Sequence, residues 1–193
     1  SLGIDRQDTD SNTDDRIYVA DYRKNKIVII DVDGNCLDVI FPGFSPRNLT
    51  VRTFGDETHL FAGGFKRRVG NSFYSANLSG TNGMPSGTSG LCSVSGNRVF
   101  AAQANGIAVD GSGGTPSNLY GVVNGHVVRF PLVKQGDRYC IQEPDITHAH
   151  DGGTSSTTRH PPSGQIEVDP SDDTLIYLAT WTNQIAKYDI TGT

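Results

Sequence analysis

The chain has 193 residues, 23 of them glycine, and a formal net charge of −5. That length suffices for one domain with a substantial core. The acidic balance argues against nonspecific nucleic-acid binding, and no apolar stretch approaches the roughly 18 residues needed to span a bilayer.

Gly, Pro, Ser, Thr, Asn and Asp fill the spaces between short apolar runs. This is the composition of many strands joined by turns, and no helical period persists for three turns. The chain opens on Ser1 without a charged-then-apolar leader, so it reads as a mature chain or a piece of a longer one. Gly3-Ile4-Asp5 is the first strand. Asp8, Asp10, Asn12 and Asp14 follow at alternate positions, a spacing that brings several oxygens to one point, as calcium requires. Thr13 stands where an EF-hand loop needs Gly, and Val19 where it needs Glu. That excludes an EF-hand and leaves a looser calcium loop or a solvated polar loop.

Ile17 to Asp21 and Ile27 to Asp31 are two strands around the turn Tyr22-Arg23-Lys24-Asn25. Asp31, Asp33, Gly34 and Asn35 form a second acidic cluster that a turn explains without metal. Asn48 to Val51 opens a second unit, followed by strands around Phe61 and from Phe73 to Leu78. Its turn carries Lys66, Arg67 and Arg68. Leu91 to Val94 and Arg98 to Ala102 flank a Ser-Gly-Asn turn. They are an outer strand of the second unit with an extra strand, or a shortened fifth unit. Gly106 to Asp110 opens the next unit, with strands around Tyr120 and from His126 to Leu132. Gln165 to Asp169 opens the last, with strands around Tyr177 and from Ile185 to Ile190. The first and last units are copies: Ile176-Tyr177-Leu178-Ala179 repeats Ile17-Tyr18-Val19-Ala20 at nearly the same spacing. Units of this kind cannot shield their apolar faces alone and must pack on one another.

Ile17 to Asp21 with Asn25 and Ile27, Gly106 to Asp110, and Gly164 to Pro170 with Tyr177 and Asn183 resemble the NHL and YVTN class of β-propeller repeats. The resemblance is weaker in the middle, where Ala62-Gly63-Gly64 and Gly121-Val122-Val123 replace the usual strand ending. It implies an all-β propeller of four to five blades, with units at 1–44, 45–104, 105–160 and 161–193. Four-bladed hemopexin-like domains have a similar length, but their motif is not seen. Blades of this class usually have four strands, and the last unit stops after its third. The propeller is therefore expected to be incomplete or completed by a neighbouring chain through an open blade edge.

Function is less legible. His148 and His150, with His160 ten residues on, are three imidazoles able to hold zinc with an open position. The alternative is an exposed Ser/Thr-rich linker. The histidines and the acidic loop invite comparison with the peptidylamidoglycolate lyases, metal-dependent propellers of this repeat class. Their site residues do not match position by position, so a metal-dependent enzyme is the alternative function. Arg23, Lys24 and Lys26 share a rim with Lys66, Arg67 and Arg68, since adjacent blades place equivalent turns side by side. Six cations there would hold an acidic protein surface or a sulfated or carboxylated glycan. Trp181 occupies the same turn of the last unit, for sugar stacking or for packing between blades. Asn48 and Asn77 head glycosylation sequons at expected surface positions. Cys36, Cys92 and Cys140 are an odd set, either one disulfide of unspecified pairing or three buried thiols. The sequence thus reads as a secreted propeller module for binding or structural assembly.

Overall fold

Strict alternation of apolar residues decides the first sheet. Ile17 and Val19 point one way and Tyr18 and Ala20 the other, as pleated backbone requires. The computed structural model describes residues 2–5, 15–66, 70–91, 106–111, 114–123, 126–142, 146–149, 166–169, 172–179 and 185–189. These residues form four antiparallel sheets.

Sheet 1 is a meander of β1 (Leu2–Asp5), β2 (Arg16–Asp21), β3 (Lys26–Ile30) and β4 (Cys36–Ile40). The turn from β3 to β4 is closed by Asp31. Its carboxylate accepts the Asn35 backbone N–H at 2.8 Å and the Asn35 amide at 2.9 Å. Those bonds hold the Asp31 carboxyl below its ordinary value, and they account for this acidic cluster as a turn. Sheet 2 comprises β5 (Ser45–Phe54), β6 (Glu57–Lys66), β7 (Gly70–Asn77) and β8 (Ser86–Leu91). Leu91 therefore belongs to the outer strand of the second unit, and 92–105 lie outside the described residues.

Sheet 3 begins with β9 (Ile107–Val109), β10 (Asn118–Val123) and the long β11 (His126–Gln135). Its far edge is lined in succession by β12 (Arg138–Ile141) and β13 (Ile146–Ala149), both antiparallel to β11. Sheet 4 has β14 (Ile166–Asp169), β15 (Asp172–Ala179) and β16 (Ile185–Asp189) among the described residues.

The first strands line up around a common centre: β1 beside β5, β5 beside β9, β9 beside β14. Each gap between sheets is filled by its own apolar cluster. Between sheets 1 and 2 lie Tyr18, Ile27, Ile29, Leu49, Leu60 and Tyr74. Between sheets 2 and 3 lie Phe54, Phe61, Phe73, Leu119, Phe130 and Tyr139. Ala108, Tyr120 and Val127 meet Ile166, Val168 and Ile176 between sheets 3 and 4. The aromatic of the second strand enters the next gap in each of the first three sheets. Tyr18 and Phe61 are 0% exposed and Tyr120 is 2% exposed. This is the packing that meanders with two apolar faces require.

Two close approaches fix the geometry. A Cβ on Gly64 would lie 2.0 Å from Ser45 O and 2.6 Å from the Phe44 ring, so only glycine lets that ring cover β6. At Gly83, φ is +72° and a Cβ would lie 2.3 Å from the Tyr18 hydroxyl, which donates to Gly83 O at 2.9 Å. The turn of sheet 2 is thereby tied to the aromatic of sheet 1.

Candidate functional site

The rim predicted at the β2–β3 hairpin is built from exposed cations. Tyr22, Arg23, Lys24 and Asn25 form the turn, with Asn25 at φ +56°. Asp21 Oδ1 accepts the Lys24 N–H at 3.1 Å, which holds the turn closed. Arg23 donates to the Tyr22 hydroxyl at 3.2 Å and lies 5.8 Å from the centre of its ring. Arg23 holds the Tyr22 phenol below its ordinary value, first by that hydrogen bond and then by its charge, with Arg47 adding to the effect. Arg47, an exposed residue of β5, is the cation that sequence reasoning missed. The start of its strand is stitched to the turn by a hydrogen bond from Ser45 Oγ to Asn25 Oδ1.

Lys26 is half-buried in β3, opposite Asp21, rather than displayed on the turn. Lys66 ends β6 beside Phe65, the register partner of Ser45, so its backbone lies at the same end as the rim. Arg67, Arg68 and Trp181 lie outside the described residues, as do Asp8, Asp10, Asn12, Asp14, His150 and His160. His148 sits in β13 opposite Val127. The linker reading is corrected for Ile146–Ala149, which form a strand because the free edge of β11 takes up their backbone groups. Among the described residues, no group of three or more His, Cys, Asp or Glu is placed to hold a metal ion.

Two further expectations are corrected. Asn77 is 7% exposed, and its Oδ1 accepts from Ser79 N at 2.9 Å and Ser86 Oγ at 3.4 Å. It is an internal turn-forming residue, not a surface acceptor for glycan. Asn48 is half-buried in β5 and lines the central cavity. The reading of three buried thiols also fails: Cys140 is disulfide-bonded and Cys36 is free and exposed.

The central cavity, of about 420 Å³, is walled by β1, β5 and β14 and by Ile107, Tyr177 and Ile185. Arg52 of β5 pairs with Glu167 of β14 across it. These residues are 115 positions apart, so no local spacing signals the pair.

A buried polar group lies between sheets 2 and 3. His59 is 0% exposed, ringed by Phe54, Phe61 and Tyr139 at centroid distances of 6.3, 6.2 and 5.0 Å. Its Nε2 bonds Glu57 at 3.1 Å, while its Nδ1 is buried without a hydrogen-bond partner. Burial holds the His59 pKa below its ordinary value, against the opposing pull of Glu57. Glu57 also accepts from Lys134 Nζ at 2.6 Å, which with His59 holds its carboxyl down.

No protein-family model matches the sequence, and no curated protein matches it. Among solved structures, the β-propeller domain of Cps50 (Swd1) from Myceliophteria thermophila superposes with a TM-score of 0.54 at 14% identity. The match covers 92% of this chain and 50% of that one. BBS1N, solved in complex with ARL6DN, gives a TM-score of 0.47 at 12% identity over 100% of this chain and 62% of its own. The chain thus spans about half the length of the first propeller. Sheets radiating from a shared centre, cores in every gap and this superposition define the fold as an arc of a β-propeller.

Proposed function

We propose that the chain is an extracellular interaction module that holds an acidic partner, a protein surface or an acidic glycan, on the rim of sheets 1 and 2. The observation that carries this reading is the pair of exposed cations Arg23 and Lys24 in the β2–β3 turn, with exposed Arg47 on the strand hydrogen-bonded to that turn, on a protein of net charge −5. Cations gathered against the overall sign of a protein create a local field that steers anions. Arg23, already ordered on the Tyr22 ring, loses less side-chain freedom on binding than a free arginine. In sequence, Arg67 and Arg68 follow Lys66 directly. The disulfide at Cys140 supports an oxidising compartment. The NHL and YVTN repeat class belongs to this reading, as does calcium at Asp8, Asp10, Asn12 and Asp14. Thermal stabilisation by calcium that Asp10→Ala abolishes tests the latter. Self-association is part of it too, since among the described residues β16 pairs with β15 alone.

Binding of a sulfated oligosaccharide, measured by calorimetry across a salt series, tests the rim. Affinity should fall steeply as salt rises, and the pair Arg23→Glu and Arg47→Glu should weaken it by at least about tenfold. Binding that ignores both salt and these reversals would remove the rim from the function.

A further inference from the structure

The central cavity is walled from both ends of the arc. Leu2 and Ile4 come from sheet 1, Ile107 from sheet 3, and Ile166 and Ile185 from sheet 4. Six large hydrophobic side chains are exposed among the described residues, and three of them line this one cavity: Leu2 at 56%, Ile4 at 42% and Ile185 at 77%. Scattered singly over a convex surface, such side chains need no explanation; gathered in one concavity, they mark a ligand site. The volume of about 420 Å³ lies within the range of small-molecule pockets, roughly 300–1,000 Å³.

Among the lining residues Arg52 is the one cation and Glu167 the one anion, and they bond to each other through Nη2 and Oε1. Arg52 Nε is buried and has no hydrogen-bond partner. Nε and Nη2 are the two donors on one edge of the guanidinium, an edge that a carboxylate grips with both oxygens. Glu167 fills half of that edge. The two side chains also differ in their hold on water, with Arg52 26% exposed and Glu167 59% exposed. Released from the pair, Glu167 stands in solvent at little cost, whereas Arg52 needs another acceptor. The pair is therefore exchangeable on the Glu167 side.

We propose that the central cavity binds a small aliphatic carboxylate. Its charged end takes the Nε–Nη2 edge of Arg52 in place of Glu167, and its chain lies against Leu2, Ile4 and Ile185. Charge and shape together select this class. An ammonium ligand would occupy Glu167 and leave the more buried Arg52 without its acceptor. A neutral apolar ligand would leave Nε unfilled, and a carboxylate without a chain would leave the three aliphatic side chains in water. A free fatty acid and an N-acylated apolar amino acid share the required chemistry. None of Arg23, Lys24 and Arg47 lines the cavity, so this site goes beyond the rim reading and does not depend on it.

Calorimetric titration of the chain with octanoate and with N-acetyl-leucine tests this, at about 0.15 M salt, where the Debye length is about 8 Å. Octylammonium and acetate are the controls. The expected result is one equivalent of carboxylate bound, with both controls at least about tenfold weaker. Tighter binding of octanoate assigns the fatty-acid source, and tighter binding of N-acetyl-leucine the amino-acid source. Arg52→Gln should weaken binding at least about tenfold, while Glu167→Gln should tighten it severalfold, because the internal competitor is gone. Ile185→Ser should weaken octanoate at least about threefold. Glu167 and Ile185 are exposed, so these two variants keep their fold and carry the test even if Arg52→Gln does not, as far-ultraviolet spectra check. The rim pair Arg23→Glu and Arg47→Glu should leave carboxylate binding unchanged, so rim and cavity fail independently. Absence of binding by either carboxylate up to about 10 mM overturns the proposal. So does octylammonium binding as tightly as octanoate, or carboxylate binding that Glu167→Gln weakens.

Discussion

The bond between Tyr18 and Gly83 lends itself to a double-mutant cycle. Tyr18→Phe keeps the ring in the gap between sheets 1 and 2 but removes the donor to Gly83 O, 2.9 Å away. A lost buried hydrogen bond costs about 1–2 kcal/mol. Gly83→Ala has two costs. At φ +72° an alanine is strained, and its Cβ would sit 2.3 Å from the Tyr18 hydroxyl. Strain of that kind is worth about 1–2 kcal/mol, and displacing the hydroxyl adds the same hydrogen bond again. In the Tyr18→Phe background the hydroxyl is already gone, so Gly83→Ala retains only its backbone strain. The double variant should therefore be about 1–2 kcal/mol more stable than the sum of the singles predicts. Urea unfolding of the four proteins measures this, provided the slopes agree. Additive losses would show that the hydroxyl does not hold the Gly83 turn. Tyr177→Phe, at the equivalent half-buried position, removes a hydroxyl that donates to Asp169 Oδ2 at 3.1 Å and should cost about 0.5–1.5 kcal/mol.

Other outcomes follow from the core and the surface. His59 is buried with a lowered pKa, so the unfolded chain takes up a proton that the native state resists. Stability should hold above the ordinary histidine pKa of about 6.5 and fall as pH drops below it, by at most about 1.4 kcal/mol per pH unit from this group; melting curves of wild type against His59→Phe isolate the effect. Gly64→Ala forces a Cβ to within 2.0 Å of a backbone oxygen and should cost more than about 4 kcal/mol or prevent folding, read by thermal melting. Asp110 accepts Ser117 N and Asn118 N at 2.8 Å and the Asn118 amide at 2.6 Å while only 6% exposed, so Asp110→Ala should cost about 2–4 kcal/mol in denaturant unfolding. Native protein should react with one equivalent of a thiol reagent, at Cys36, and Cys36→Ser should abolish that reaction.

The strands that sequence reasoning placed are those with strict alternation around an aromatic: β2 about Tyr18, β6 about Phe61, β10 about Tyr120 and β15 about Tyr177. A short apolar run centred on an aromatic is a local signal, legible without knowing which neighbour each face packs on. The outer strand β8 has only Leu91 as an apolar side chain, so nothing in its sequence announced a strand. It forms because β7 offers it an edge. Gly64 was visible as a departure from the repeat, but its reason, the Phe44 ring above it, lies 20 residues away in the sequence. The turn cations Arg23 and Lys24 were legible as charges between strands. Arg47 was not, because its approach to Tyr22 depends on the sheet 1 to sheet 2 docking. Asn77 was misplaced for the same reason: its sequon is local, while its burial comes from the folded turn around Ser79 and Ser86.

The hairpin of β11 and β12 reaches beyond its own sheet. Tyr139 N donates to Ser75 Oγ of β7 at 2.8 Å, and Lys134 meets Glu57 of β6. The tongue of the third sheet is thus riveted to the second. A protease nick in the segment joining them would leave two fragments clasped together, and amide protons of β6, β7 and β12 should exchange as one block. Mechanical pulling from the ends would peel the outer sheets first and reach this riveted middle last.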